Sequence, residues 1–161
     1  LRPFAGSQLP EYDEMKIYLG SDHRGFELKE RLKAWLSEQG REYEDMGPFE
    51  YDKDDDYPDF AKLVGEKVAA DQGSKGILIC GSGVGAAVAA NKIKGIRSGT
   101  MFDPEQVKAS VADENTNIIG LSNDYTSKEK NMEIVKAFLE SKFSGAERHV
   151  RRVGKIKNLE S

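Results

Sequence analysis

The segment GILICGSGVGAAVAANK, residues 76–92, places the only cysteine of the chain, Cys80, between an apolar run and a glycine-rich turn. Gly81, Gly83 and Gly85 let successive backbone N–H groups turn toward one point, and the start of the following helix adds partial positive charge there. That is the chemistry of an anion hole. The thiol at its mouth has two readings. A cysteine at a strand end can be a small buried hydrophobe. Beside a helix N-terminus its thiolate is favoured, which suits a nucleophile or a general base. The glycine spacing is GxGxG after a third strand, not GxGxxG after a first, and the Gly-Lys-Ser/Thr ending is missing. Neither a dinucleotide fingerprint nor a Walker loop is present.

A second turn, GSDHRG at 20–25, carries Asp22 and His23. This pair can hydrogen-bond sugar hydroxyls or a ring oxygen, although a histidine at such a turn also serves as a cap or surface residue. The other histidine, His149, lies in ERHVRRVGKIK, residues 147–157, where five Lys/Arg face one acid. Arginine forks suit phosphate; a solvated terminal helix is the alternative. Residues 42–59 hold nine acids and one lysine and read as a solvated surface loop.

These turns need a scaffold, and strand and helix patterns alternate about five times along the chain. Apolar runs at 16–20, 76–80 and 117–121 read as strands, with weaker ones at 41–47 and 96–101. Between them, Leu28, Leu32 and Leu36 share one helical face, as do Phe60, Val64 and Val68, and Pro104 opens a helix over 104–114. The pattern predicts an α/β fold, a Rossmann-like three-layer sandwich with a five-stranded, mainly parallel sheet and helices on both faces. In such sheets ligands sit beyond the carboxyl ends of the strands, where both chemical turns fall. Residues 1–14 show no period and read as an extension outside the fold. Residues 15–161 read as a single domain ending in a basic helix. One cysteine makes no internal disulfide and no cysteine-based metal site. No apolar run is long enough to span a membrane and no leader pattern opens the chain, so the expected location is cytoplasmic. The net charge of −4 argues against nucleic acid as a partner.

With these residues in view, the chain resembles the ribose-5-phosphate isomerase B family, which includes the galactose-6-phosphate isomerase subunits. The resemblance spans residues 15–157 and rests on GSDHRGFELK, DYPDFA, GILICGSGVGAAVAANKIKGIR and RHVRRV in the family's order. It implies an aldose–ketose isomerase acting through an enediolate, without metal or cofactor. Cys80 would be the base that moves a proton between C1 and C2 of an open-chain sugar phosphate. The loop of Gly81, Gly83 and Gly85 would stabilise the enediolate, with Ser82 serving where the family usually has threonine. Asp22 and His23 would bind substrate. Arg148 and Arg152 would clamp phosphate in a neighbouring subunit's site, in a homodimer or homotetramer.

The chain also departs from the family. Asp113, Glu114 and Asn115 stand where the family commonly has His-Asn-Asp, whose histidine opens the sugar ring. A family arginine that contacts phosphate falls at Asp124. Asp113 is therefore the expected acid–base at ring opening and Glu114 a neighbour of the anion. The expectation is three changes near one site, with proton transfer preserved and both ring opening and recognition of the substrate's phosphate end altered. Ribose 5-phosphate is the default substrate. A tetrose 4-phosphate, a hexose 6-phosphate or a non-catalytic sugar-phosphate-binding subunit are the alternatives.

Overall fold

A computed structural model describes residues 15–161; the expectation for residues 1–14 lies outside the described residues. Five strands, Ile17–Ser21 (β1), Tyr43–Asp45 (β2), Lys75–Cys80 (β3), Ser98–Thr100 (β4) and Ile118–Ser122 (β5), form one sheet of order β2-β1-β3-β5-β4. Every pairing is parallel, so the sheet is wholly rather than mainly parallel. Six helices accompany it: Phe26–Glu38 (α1), Tyr57–Ala70 (α2), Val84–Ala90 (α3), Pro104–Glu114 (α4), Lys128–Glu140 (α5) and Glu147–Lys157 (α6).

Strand side chains alternate between faces, and that alternation splits the interior in two. Ile17, Leu19, Ile77, Ile79, Ile119 and Leu121 pack with the apolar stripes of α1, α4 and α5. Tyr18, Leu78, Cys80 and Ile118 face the other way, onto Val64 and Val68 of α2 and Ala86 and Ala90 of α3. Helices on both faces of a buried parallel sheet make the three expected layers.

Local chemistry sets several boundaries. Asp103 caps α4 by accepting from the N–H groups of Glu105 and Gln106, with Pro104 in the first turn. Ser127 caps α5 through the Lys130 N–H. Lys29, whose side chain is fully buried on α1, donates to both carboxylate oxygens of Asp45 at 2.7 and 2.8 Å and to the Pro48 carbonyl at 2.7 Å. It ties the edge strand β2 and the loop beyond it to α1. Lys75 does similar work at the start of β3, donating to the carbonyls of Phe138 and Ser141 at the end of α5. Among the described residues, no helix is long and apolar enough to cross a membrane.

Candidate active site

Cys80 ends β3 and is 3% exposed. Its Sγ accepts the Gly83 N–H at 3.2 Å. That bond requires the chain to turn back sharply, and Gly83 does so at φ 77°, in the left-handed region that favours glycine. The Gly83 carbonyl is held by Thr100 Oγ1 at 3.0 Å. Ser82 is exposed, and its Oγ accepts the Val84 N–H at 3.1 Å. The turn after β5 locks onto the same loop. Ser122 Oγ donates to the Gly81 carbonyl at 2.8 Å, and the N–H groups of Asn123 and Asp124 donate to the carbonyls of Cys80 and Gly81 at 3.0 Å each. Gly85 lies against Tyr57, whose ring carbon Cζ would be 2.6 Å from a Cβ at that position. The glycine loop is therefore a fixed cradle with the sulfur in its wall.

The second turn lies beside it, because the Asp22 N–H donates to the Ile79 carbonyl at 3.2 Å. Residues His23–Gly25 form one 3-10 turn, capped by Asp22 Oδ1, which accepts from the N–H groups of Arg24 and Gly25 at 3.0 and 3.2 Å. Burial raises the Asp22 carboxyl above its ordinary value. Asp55 Oδ1 lies 2.8 Å from His23 Nδ1 and accepts the His23 backbone N–H at 2.8 Å. An ionised carboxylate only accepts, so the Nδ1 proton points at Asp55 and Nε2 is left for other partners. The hydrogen bond to Asp55 raises the histidine above its usual range. The reading of residues 42–59 as a merely solvated loop is thus corrected. Asp45 and Asp55 have side chains only 10% and 8% exposed and serve as anchors. Spacing gave no sign of this, since the partners are supplied by α1 and by the turn after β1.

Asp113, Glu114, Arg148 and Arg152 lie elsewhere. α4 runs back along the sheet, so Asp113 and Glu114 precede the start of β5, whereas Cys80 pairs with Ser122 at its end. A strand of this length separates its two edges by about 16 Å. α6 lies along the same far edge, where Val153, Ile156 and Lys157 share a cleft with Lys75 and Asn117 at the strand starts. His149, 6% exposed, places Nε2 3.3 Å from Asp113 Oδ1. Within one chain Asp124 is at the Cys80 edge, and Asp113 and Glu114 are at the opposite one, so the three changes expected near one site do not meet inside a single chain. A cleft of about 740 Å³ also lies at the far edge, lined by Arg97, Met101, Glu114 and Ile156 and not by Cys80.

At the position expected to have lost a cation, Asp124 pairs with Arg24, Nη1 to Oδ2 2.8 Å. Arg24, Asp55 and Tyr57 are the residues at this edge that the sequence left unassigned. Arg24, inside GSDHRGFELK, and Tyr57, inside DYPDFA, lay in motifs that carry the resemblance; Asp55 did not. Among the described residues, no group of three or more His, Cys, Asp or Glu side chains is placed to hold a metal ion.

A parallel α/β sheet with a thiol in a glycine-rich loop at its carboxyl edge has its candidate site where α/β folds of this class bind small molecules. The chain belongs to the ribose/galactose isomerase family, which it matches over residues 17–156. It is 43% identical over 140 residues to a probable ribose-5-phosphate isomerase B of Mycoplasma pneumoniae, covering 87% of this chain and 91% of that protein. It is 40% identical to the ribose-5-phosphate isomerase B of Mycolicibacterium paratuberculosis over 86% of this chain and 87% of that one. Among solved structures, it is similar to ribose-5-phosphate isomerase B of Mycoplasma genitalium with bound ribulose 5-phosphate. The TM-score there is 0.87 and the identity 38%, with 91% of this chain and 96% of that chain covered.

Proposed function

We propose that this protein is an aldose–ketose isomerase that interconverts ribose 5-phosphate and ribulose 5-phosphate. The observation that carries the chemistry is the buried Cys80 sulfur held by the Gly83 N–H inside the glycine loop. The Cys80 thiolate takes the proton from C2 of the open-chain aldose. The C–H electron pair becomes the C1–C2 double bond, and the carbonyl oxygen O1 takes up the negative charge. Loop N–H groups and the Ser82 hydroxyl are the donors for that enediolate. The thiol returns its proton to C1, and O2 becomes the ketone as its hydroxyl proton passes to O1. Asp22 and His23 bind the hydroxyl groups, and no cofactor enters the scheme.

The phosphate end belongs to the far edge of another copy of the chain. α6 lies along the edge of the sheet opposite Cys80 in its own chain, so a homodimer or homotetramer with shared sites is the arrangement in which Arg148 and Arg152 serve it. Asp113, backed by His149, is the acid–base for ring opening there, with Glu114 beside it. Val84 and Val88, one turn apart on the outer face of α3, are 50% and 54% exposed, which suits a surface covered by a partner. This reading keeps residues 15–161 as one domain and the protein in the cytoplasm, acting on a small molecule.

The test is direct isomerase assay of the pure protein against four-, five- and six-carbon aldose phosphates. Ribose 5-phosphate should give the highest kcat/KM. A clear preference for another phosphate would replace the substrate, and binding without turnover across the panel would leave a sugar-phosphate-binding subunit.

A further inference from the structure

Arg24 is a cation laid against the Cys80 loop. It sits in the 3-10 turn His23–Gly25, and its guanidinium lies on Gly81: a Cβ there would fall 2.7 Å from Nη1 and 2.9 Å from Cδ. Asp124, whose Oδ2 accepts from Nη1 at 2.8 Å, would meet the same Cβ at 2.9 Å. Asp124 is fixed there by its own N–H, which donates to the Gly81 carbonyl at 3.0 Å. The two side chains therefore converge on the residue that follows Cys80, from turns 100 positions apart in the sequence.

The guanidinium is not used up by this pair. It carries five N–H donors in a planar fork. One of them is on Asp124, and the Arg24 side chain is 59% exposed. Exposed ion pairs between surface loops contribute little to stability, so holding two loops together is a poor account of its placement. A planar fork against an anion-binding loop, with open donors, matches a phosphomonoester, which arginine binds bidentately.

We propose that Arg24 binds the phosphate group of the substrate at the Cys80 edge, and that Asp124 is its resident counter-ion, competing with phosphate for the fork. This rests on the isomerase reading above for the identity of the substrate, not for the anion site itself. Asp124 then sets how strongly the site discriminates. A dianionic phosphate displaces the carboxylate from the guanidinium, whereas a neutral sugar does not.

The test compares wild type, Arg24→Ala, Arg24→Lys and Asp124→Asn by calorimetric titration with inorganic phosphate and by kinetics with ribose 5-phosphate. Arg24→Ala should weaken phosphate binding and raise KM about 30-fold with kcat within about threefold, the pattern of a lost charge-assisted contact. Arg24→Lys, which keeps the charge but not the fork, should fall between. Asp124→Asn should move the other way, tightening phosphate about fivefold by removing the competitor. Both variants weakening phosphate together, or Arg24→Ala costing less than about threefold as a screened surface charge would, overturns the proposal. If wild type turns over no ribose 5-phosphate while the opposed shifts in phosphate binding persist, the anion site stands and the isomerase reading falls.

Discussion

Replacing Cys80 with alanine removes a sulfur that is 3% exposed and the acceptor of the Gly83 N–H. It leaves the loop's other anchors, Thr100, Ser122 and the backbone of Asn123 and Asp124, in place. The variant should lose about a hundredfold or more in kcat, on the scale of general-base catalysis, with sugar-phosphate affinity nearly unchanged. Near-normal turnover in a folded Cys80→Ala protein would take the proton transfer away from the thiol. His23 gives a second test at this scale. The Asp55 hydrogen bond holds it above its ordinary value, so the fold favours imidazolium. That contribution is complete below the unfolded value of about 6.5 and is lost as pH rises through the higher folded value. The thermal midpoint of wild type should therefore decline across that window, and Asp55→Asn should flatten the decline. Equal slopes in the two proteins would remove Asp55 as the cause.

At the scale of elements, Lys29 and Asp45 join α1 to β2. Burial raises the Asp45 carboxyl, but hydrogen bonds from Lys29, Lys33 and the Gly47 N–H outweigh it and hold the group below its ordinary value. The stability this supplies is present above about pH 3.9 and is lost as pH falls through the depressed value. Lys29→Met takes the buried cation from that carboxylate, leaving it Lys33 and the Gly47 N–H, and leaves the Pro48 carbonyl without its donor; it should cost about 2 kcal/mol in urea unfolding. A loss below about 1 kcal/mol, the scale of an exposed pair, would mean that α1 and β2 are held by their apolar contacts alone. The long elements were legible from the sequence. Pro104 marks the first turn of α4, and the unbroken apolar runs of β3 and β5 mark strands buried on both faces. β2 and β4 gave weak signals because three-residue edge strands bury too little to impose a pattern. The 3-10 turn at His23–Gly25 and the anchoring roles of Asp45 and Asp55 could not be read, because each depends on a partner brought near only by folding. The same is true of Arg24 and Asp124. Sequence showed an acidic residue where a cation was expected, and not the arginine that meets it.

At the scale of the molecule, the parallel topology separates the two halves of the proposed site. Cys80, Ser82, Asp22 and His23 occupy the carboxyl edge of the sheet, while Asp113, Arg148 and Arg152 occupy the amino edge. The resemblance already implied that Arg148 and Arg152 serve a neighbouring subunit's site; sequence order gave no sign that Asp113 lies on their edge, because that depends on the direction of α4 along the sheet. The proposed two-fold assembly, in which each chain lends its amino edge to the other's carboxyl edge, would reunite them. The most direct test is subunit complementation. Cys80→Ala and Arg148→Ala/Arg152→Ala are each prepared as nearly inactive proteins, mixed under mild dissociating conditions, returned to native buffer, and assayed with ribose 5-phosphate. In a mixed dimer, the intact loop of one chain meets the intact tail of the other and restores one site of two. Random exchange then returns about a quarter of wild-type activity. Activity that stays at the level of the separate variants, with exchange shown by mass spectrometry of tagged chains, would contradict a shared site centred on Cys80.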